Sequence, residues 1–478
     1  MMDKILTKFS ASELARLIAT KEVSPVDVMR GYLDRIERYD SDLNSYITIC
    51  KDDALEEAKK AEKAVMDGEV LGPLHGLPLG VKDQFETKGV LTTASSKILA
   101  NYVPNEDATI VARAKEAGAI LLGKLNMSPF VAGGGDYLSR DKPPRNPWNF
   151  DRDPGSSSHG SGIAIAASLC SIAFGEDTGG SIRGPAALNG IVGLRPTWGR
   201  VSRHGLLLFC WSMDVGGPMT RTVEDTALVM NAIAGYDPKD SLTSKLPVPD
   251  YTKCLTTDVR GLRVGLLMEF MEPGFTSEEV RKSIMDAVSQ LEGMGVIVEE
   301  VSLPMLLEIG DVRPAISESD GAFVQRKWIV SNPKDFGKSA LKGTLVGSMI
   351  PNYILEKAAR MRALLRREWA HLLCKYDFLI SPTTLTEASK IHDYTDKITT
   401  RDQAEYRFGG RRTPVPPAAL AGTPAITVPC GFSKEGLPIG LQIIGGHFRE
   451  DSVIKLAYAY EQETKWHTMR PILDEVRI

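Results

Sequence analysis

The sequence lacks the patterns of a metal site and of a disulfide-stabilised fold. Its seven histidines show no HxH, HxxxH or HExxH spacing, so we expect no metal ion and no cofactor. Its six cysteines include no CxxC pair, which in a chain of 478 residues indicates free thiols in a reducing compartment. These thiols belong to Cys50, Cys170, Cys210, Cys254, Cys374 and Cys430.

The sequence also lacks an excess of charge of one sign and a long apolar run. Lys and Arg number 57 and Asp and Glu 61, and this net charge of −4 argues against a general nucleic-acid binder. The longest apolar run, around residues 163–174, is broken by serines and too short to span a membrane. The first residues contain no apolar stretch of signal-peptide length. We therefore expect a cytoplasmic enzyme with neither a nucleic-acid nor a membrane partner.

The N-terminal part of the chain carries helix signals. We expect residues 1–65 to be helical. Ser10 and Glu13 have the spacing of a capping box, and Ser24 precedes a proline at a second helix start.

Beyond residue 75, short strands and helices alternate, which favours an α/β layered fold with a largely buried central sheet. Strand patterns occur at 119–123, 261–267 and 296–303. A helix is predicted from Thr276, with Glu279 as its capping partner. The polar segment 237–258 is interpreted as a surface loop, because strands on either side of it could share one sheet. We therefore predict a single domain over residues 1–478.

Two common enzyme patterns fail on inspection. Residues 118–124 match the GxxxxGK of a phosphate-binding loop, but Leu125 follows where Ser or Thr is needed, and the intervening residues are strand formers. No GxSxG serine elbow is present. His159 lies in a serine-rich loop, and we interpret it as a loop residue or pocket wall rather than as a general base.

A segment of very small residues contains a candidate nucleophile. Gly, Ser and Ala supply 22 of the 39 residues from 155 to 193. Thr178-Gly-Gly-Ser181 follows a predicted strand, and its N–H groups could bind an anion beside the Ser181 hydroxyl. From this stretch alone the alternative is favoured, namely that Ser181 is an N-cap serine after a glycine turn.

A serine nucleophile needs a base, and Lys82 is a candidate. It directly follows the apolar residues GLPLGV, and burial there would favour the neutral amine that a base requires. The alternative is a solvated lysine at a strand end. The loop PGSSSHGSG at 154–162 could supply a hydroxyl between Lys82 and Ser181.

Long segments of the chain resemble the amidase signature family. They are GVKD at 80–83, PGSSSHGSG at 154–162, and GEDTGGSIRGPAALNGIVGLRPTWGRVSRHG at 175–205. The resemblance covers most of the chain and implies a central mixed, twisted β-sheet with helices on both faces. It also implies a signature core at 75–235 and a variable region at about 305–415 that shapes the substrate pocket.

The resemblance assigns roles to individual residues. It makes Ser181 the nucleophile, Ser157 the bridging serine after a cis Ser156–Ser157 peptide, and Lys82 the base. The oxyanion of the acyl intermediate would be held by the backbone N–H groups of Thr178, Gly179, Gly180 and Ser181. Asp83, Asp177 and Arg183 are interpreted as structural supports of the site.

This chain departs from the family at two places. Ser156 and His159 stand where the family has glycines, and His159 is a candidate substrate contact. Residues 131–144 differ from those of the family's aminoacyl-tRNA amidotransferase A subunits, which otherwise resemble the chain closely. In this segment Gly133, Gly134 and Gly135 are further candidates for contact with the acyl part of the substrate.

Three functions are compatible with these residues. The leading hypothesis is a stand-alone amidohydrolase that cleaves a small-molecule amide, anilide, carbamate or related C–N bond with water through an acyl-enzyme. A homodimer is one assembly that such an enzyme could adopt. The alternative is a glutamine-hydrolysing A subunit of a tRNA-dependent amidotransferase, against which the altered 131–144 segment argues. A binding protein with an inactive site is the third, and the complete triad argues against it.

Overall fold

An eleven-stranded β-sheet forms the centre of the computed structural model, which describes residues 6–69, 71–131, 143–391 and 413–476. Its strands are β1 (Tyr46–Ile49), β2 (Pro78–Lys82), β3 (Ile120–Leu125), β4 (Ile172–Glu176), β5 (Val192–Arg195), β6 (Gly216–Thr220), β7 (Arg263–Leu267), β8 (Ile297–Val301), β9 (Phe378–Pro382), β10 (Ala425–Phe432) and β11 (Pro438–Ile444).

The sheet is mixed, with the order β1-β3-β2-β4-β6-β5-β10-β11-β9-β7-β8. Strand β2 runs parallel to β3 and β4, strand β7 runs parallel to β8 and β9, and the other neighbouring pairs are antiparallel. Because β2, β3 and β4 are parallel, their C-terminal residues meet at one edge of the sheet. In α/β sheets, this edge is where ligands usually bind.

Helices cover both faces of this sheet. They are α1 (Ala11–Ala19), α2 (Pro25–Leu43), α3 (Lys51–Asp67), α4 (Thr109–Glu116), α5 (His159–Ala166), α6 (Arg183–Asn189), α7 (Val223–Ile233), α8 (Glu278–Gly293), α9 (Ile309–Ser331), α10 (Lys338–Ser348), α11 (Asn352–Lys375), α12 (Pro416–Ala421), α13 (Glu450–Gln462) and α14 (Leu473–Val476). Strand β9 shows how both faces are buried. Phe378 and Ile380 pack into one apolar cluster, whereas Leu379 between them packs into the other, because successive strand residues point to opposite faces.

The fold class predicted from the sequence is confirmed, and several details are corrected. The capping box of Ser10 and Glu13 is present, and Ser24 caps α2. The N-terminal 65 residues are not wholly helical, because β1 lies within them and pairs with β3. The helix predicted from Thr276 begins at Glu278, since Ser277 is the N-cap of α8 while the Thr276 hydroxyl donates to the Phe270 carbonyl.

The segment 237–258 does not divide the sheet, because β6 before it and β7 after it are strands of the same sheet. No helix in the described ranges is long and apolar enough to cross a membrane. The six cysteines are free thiols. A search of the described residues finds no cluster of His, Cys, Asp and Glu that could hold a metal ion.

Candidate active site

Ser181 lies in a tight turn between β4 and α6. Helix α6 begins at Arg183, with Ile182 at the N-cap and no side chain capping it, so the N-cap interpretation of Ser181 is wrong. The Ser181 side chain is half-buried, and its hydroxyl forms no hydrogen bond to any residue that the structure describes. The hydroxyl is therefore available for attack on a bound substrate.

Asp177 holds this turn in place. Its carboxylate accepts from Nε and Nη2 of Arg183 at 3.0 Å and from Nη1 of Arg195 at 3.0 Å, and all three side chains are fully buried. Burial alone would raise the pKa of the Asp177 carboxyl, but the two guanidiniums outweigh burial and hold this pKa well below its usual range. The carboxylate thus stays ionised. Arg195 has no role in the sequence analysis, yet it is as close to Asp177 as Arg183 is.

The turn presents three of the four predicted oxyanion donors. The Gly180 N–H donates to Asp177 Oδ1 at 2.8 Å, so the prediction is narrowed to Thr178, Gly179 and Ser181. The N–H groups of these three residues have no acceptor among the described residues. Gly180 itself has φ +127°, a conformation that favours glycine, and a Cβ there would come within 2.3 Å of Val415 Cγ2.

Lys82 and Ser157 are brought together at the C-terminal end of β2. Lys82 Nζ lies 2.8 Å from Ser157 Oγ, and both residues are buried. The peptide bond between Ser156 and Ser157 is cis, as the family resemblance implies. Burial lowers the pKa of Lys82 from its ordinary value, although the neighbouring Glu176 opposes this shift. The solvated-lysine interpretation of Lys82 is therefore wrong.

Glu176, the last residue of β4, is the most important site residue that the sequence analysis missed. Its Oε2 lies 3.0 Å from Lys82 Nζ, and neither side chain is exposed to solvent. Its Oε1 lies 2.8 Å from Thr178 Oγ1, which in turn lies 2.7 Å from Asp214 Oδ1. A second buried carboxyl is therefore linked to Glu176 through one hydroxyl. Burial and the Glu176 charge raise the pKa of Asp214 to about 8.

Asp83 does not contact Glu176 or Asp214; it is fully buried and pairs with a second lysine, Lys124. Its Oδ1 lies 3.3 Å from Lys124 Nζ, and its Oδ2 accepts the Thr93 N–H at 2.9 Å. Burial raises the pKa of Asp83, with Lys124 opposing. Lys124 is the lysine of the discarded GxxxxGK match, and it lies in strand β3 as expected rather than in a phosphate-binding loop.

The candidate substrate contacts are only partly described. His159 is the first residue of α5 and is buried near Lys82. Burial and the Lys82 charge lower the pKa of His159 to about 3, so its imidazole is neutral at physiological pH. Gly133, Gly134 and Gly135 lie outside the described residues.

Both ends of the variable region 305–415 reach the turn between β4 and α6 that carries the predicted nucleophile Ser181, called the nucleophile turn below. Val415 contacts Gly180, and Arg313 Cδ lies 2.6 Å from the position that a Cβ on Gly179 would occupy. The Arg313 side chain is half-buried, and within the described chain its one hydrogen bond runs from Nη1 to Ser317 Oγ at 3.1 Å. Sequence patterns give no signal for Arg313, because 133 residues separate it from Gly180.

The Amidase family model matches residues 27–454 of the chain. The A subunit of the glutamyl-tRNA(Gln) amidotransferase of Desulfatibacillum aliphaticivorans is 39% identical, and the alignment covers 98% of this chain and all of that protein. The crystal structure of the corresponding A subunit from Thermotoga maritima superposes with a TM-score of 0.81 at 31% identity, covering 98% of both chains. The native peptide amidase of Stenotrophomonas maltophilia gives the same TM-score and identity over 97% of this chain and 98% of its own.

Proposed function

The chain belongs to the amidase signature family and is an enzyme of the C–N hydrolase class, and on that premise we propose that it hydrolyses the side-chain amide of glutamine as an amidotransferase A subunit. The observations that support a hydrolytic role are the 2.8 Å contact between buried Lys82 Nζ and Ser157 Oγ and the half-buried Ser181 hydroxyl, which has no hydrogen-bond partner among the described residues. A binding protein would have no need to keep a buried lysine and two serines in this arrangement.

The proposed reaction begins with neutral Lys82. Lys82 Nζ accepts the proton of Ser157 while Ser157 accepts that of Ser181, and Ser181 Oγ attacks the amide carbon. The N–H groups of Thr178, Gly179 and Ser181 bind the oxyanion that forms. Ser157 then returns the proton to the departing nitrogen, because an amine leaves only after protonation. Water hydrolyses the acyl-enzyme by the same route in reverse.

The choice of glutamine reverses the order of the two leading hypotheses. The relatives that cover 97–98% of the chain at about 40% identity carry the name of the amidotransferase A subunit, which supports the complex-bound role. Arg313 adds a physical argument. A guanidinium next to Gly179 with most of its donors unused by the described residues suits a substrate with a carboxylate, which glutamine carries. In this role the chain would work in the cytoplasm with two further subunits.

A stand-alone amidase is the second candidate. It is supported by the likeness to the peptide amidase and by the 131–144 sequence, which differs from that of A subunits. Its substrates would be amides, anilides or carbamates, and a homodimer stays a prediction for it.

One experiment separates the two roles. The purified chain is assayed alone for ammonia release from glutamine and for 4-nitroaniline release from acyl 4-nitroanilides, and a tagged chain is purified from its own cells to identify companions. Hydrolysis of glutamine together with two co-purifying proteins supports the first proposal. Efficient anilide hydrolysis without companions supports the second. Inactivity in every assay, with no labelling of Ser181 by a fluorophosphonate, would contradict a hydrolytic role.

A further inference from the structure

Lys82 can act as a base only after it loses a proton, and its surroundings restrict where that proton can go. The side chain is 0% exposed, so solvent cannot take the proton directly. Its Nζ contacts Ser157 Oγ, the Glu176 backbone carbonyl at 3.4 Å and Glu176 Oε2 at 3.0 Å. Ser157 has to pass its own proton to Lys82 and so cannot take one from Lys82, and a carbonyl does not become protonated. Among the described residues, Glu176 Oε2 is therefore the one contacting atom that can accept it.

We propose that Glu176 is the proton acceptor that converts Lys82 into a base, and that it acts through Lys82 as a positioning residue. In this step the Nζ–H bond of the ammonium breaks and an Oε2–H bond forms. The charges of Lys82 and Glu176 disappear together, so no net charge is created in the buried site. Lys82 then has a lone pair for the proton of Ser157. The inference rests on the proposed role of Lys82.

The contacts of Glu176 Oε1 determine how many protons Glu176, Thr178 and Asp214 hold between them. Thr178 has one hydroxyl hydrogen but lies within 2.8 Å of two carboxyl oxygens, Glu176 Oε1 and Asp214 Oδ1. Both contacts are hydrogen bonds only if one carboxyl also carries a proton and donates it to the hydroxyl oxygen. Asp214 is the group placed to do so, because it has no ion-pair partner among the described residues, whereas Glu176 faces the Lys82 cation at 3.0 Å. A neutral Asp214 leaves Glu176 as the single negative charge opposite Lys82.

The other ionisable groups around the network do not change charge near neutral pH. His159 is neutral, because burial and Lys82 lower its pKa to about 3. Asp177 stays ionised between Arg183 and Arg195. On the Asp214 side, burial raises the pKa of the Cys210 thiol well above neutrality, and Arg203 stays charged.

The test follows phosphonylation of Ser181 by a fluorophosphonate between pH 6 and 9, read by mass spectrometry. This reaction needs the base but no known substrate, and its fluoride leaves without protonation. We expect Glu176→Gln to make the maximal labelling rate fall about 10-fold for each unit of pH below the pKa of Lys82, with the inhibitor KI unchanged. The wild type lacks this slope because Lys82 and Glu176 share one proton there, whereas in the variant Lys82 must lose its proton to solvent, which reaches the buried amine only indirectly. Asp214→Asn keeps a hydrogen-bond donor toward Thr178, so its labelling rate should fall far less.

Control variants distinguish a role of Glu176 in proton transfer from a structural role. Glu461→Gln puts the same amide in place of a buried carboxyl group that accepts the Val223 N–H and has no contact with the site residues, and this variant should be labelled at the wild-type rate. A Glu176→Gln pH profile that parallels that of the wild type would overturn the inference. So would a loss that higher pH does not reverse, or an equal loss in Asp214→Asn, since either indicates a merely structural role. If Lys82→Met still labels at the wild-type rate, the proposed function fails instead.

Discussion

The buried ion pair between Asp83 and Lys124 fixes the C-terminal ends of β2 and β3 to one another. Oδ1 and Nζ are 3.3 Å apart, and both side chains are 0% exposed. Lys124 also donates to the Phe85 carbonyl at 2.8 Å and to Thr92 Oγ1 at 2.6 Å. Since Asp83 follows Lys82 directly, this pair supports the strand end that positions the proposed base.

Removal of one partner of this pair should destabilise the fold strongly. Lys124→Met leaves the Asp83 carboxylate buried without its cation, and we expect a loss of about 3–5 kcal/mol in the free energy of unfolding. Urea denaturation measures it. Lys63→Met, which breaks the exposed pair with Asp67, is the control and should leave the free energy of unfolding nearly unchanged. A similar small loss for both variants would show that the Asp83–Lys124 pair contributes little.

The three proposed catalytic residues should be needed together. Ser181→Ala, Ser157→Ala and Lys82→Met are each expected to lower kcat by at least about 1000-fold, and the double variant of Ser157 and Ser181 should be no worse than either single variant. Amide hydrolysis and fluorophosphonate labelling measure this loss, and circular dichroism checks the fold. Ser156→Ala changes the exposed neighbouring serine and should stay within a few-fold of wild type. A Ser181→Ala variant with full activity would refute the mechanism.

Asp177 should matter for the shape of the nucleophile turn rather than for proton transfer. In Asp177→Asn the carboxylate that binds Gly180 N–H, Arg183 and Arg195 is replaced by a neutral amide, so two buried guanidiniums lose their counter-ion. We expect the kcat to fall about 100-fold or more and the free energy of unfolding to fall by about 3 kcal/mol or more. The pH profile of the residual activity should keep its shape, and a shifted profile would indicate a direct role in proton transfer.

The sequence predicted the parts of the site that are local in the chain. Ser181 and its glycines stand in one strand–turn–helix segment, and turn chemistry there is readable from residue types. Glu176 stands directly before Asp177 in the sequence, but nothing there indicates a contact with Lys82. That contact depends on β2 and β4 being neighbours, and 94 residues separate Lys82 from Glu176. The order of the strands in the sheet determines which buried carboxylate contacts which buried lysine. The sequence pattern predicts strands but not their order.

Arg313 should control the preference for substrates that carry a carboxylate. In Arg313→Met the KM for glutamine, or for an anilide with a terminal carboxylate, should rise about 10- to 100-fold, the value of a charge-assisted hydrogen bond. The KM for a neutral anilide of the same length should stay unchanged, because the oxyanion donors are backbone groups. Arg326→Met changes an exposed arginine of the same helix and serves as the control. An equal rise for charged and neutral substrates would indicate a general distortion of the turn beside Gly179.

His159 should make the folded state sensitive to acid. Burial and Lys82 lower its pKa to about 3 in the folded protein, whereas an unfolded histidine titrates near 6.5. The unfolded chain therefore binds more protons between these values, so the contribution of His159 to stability is complete above about pH 6.5 and is lost as the pH falls toward 3. Urea denaturation at pH 7, 6 and 5 should show a smaller loss of stability in His159→Asn than in the wild type. The exposed His371→Asn is the control and should follow the wild type. Parallel losses in all three proteins would mean that another group, rather than His159, takes up the protons.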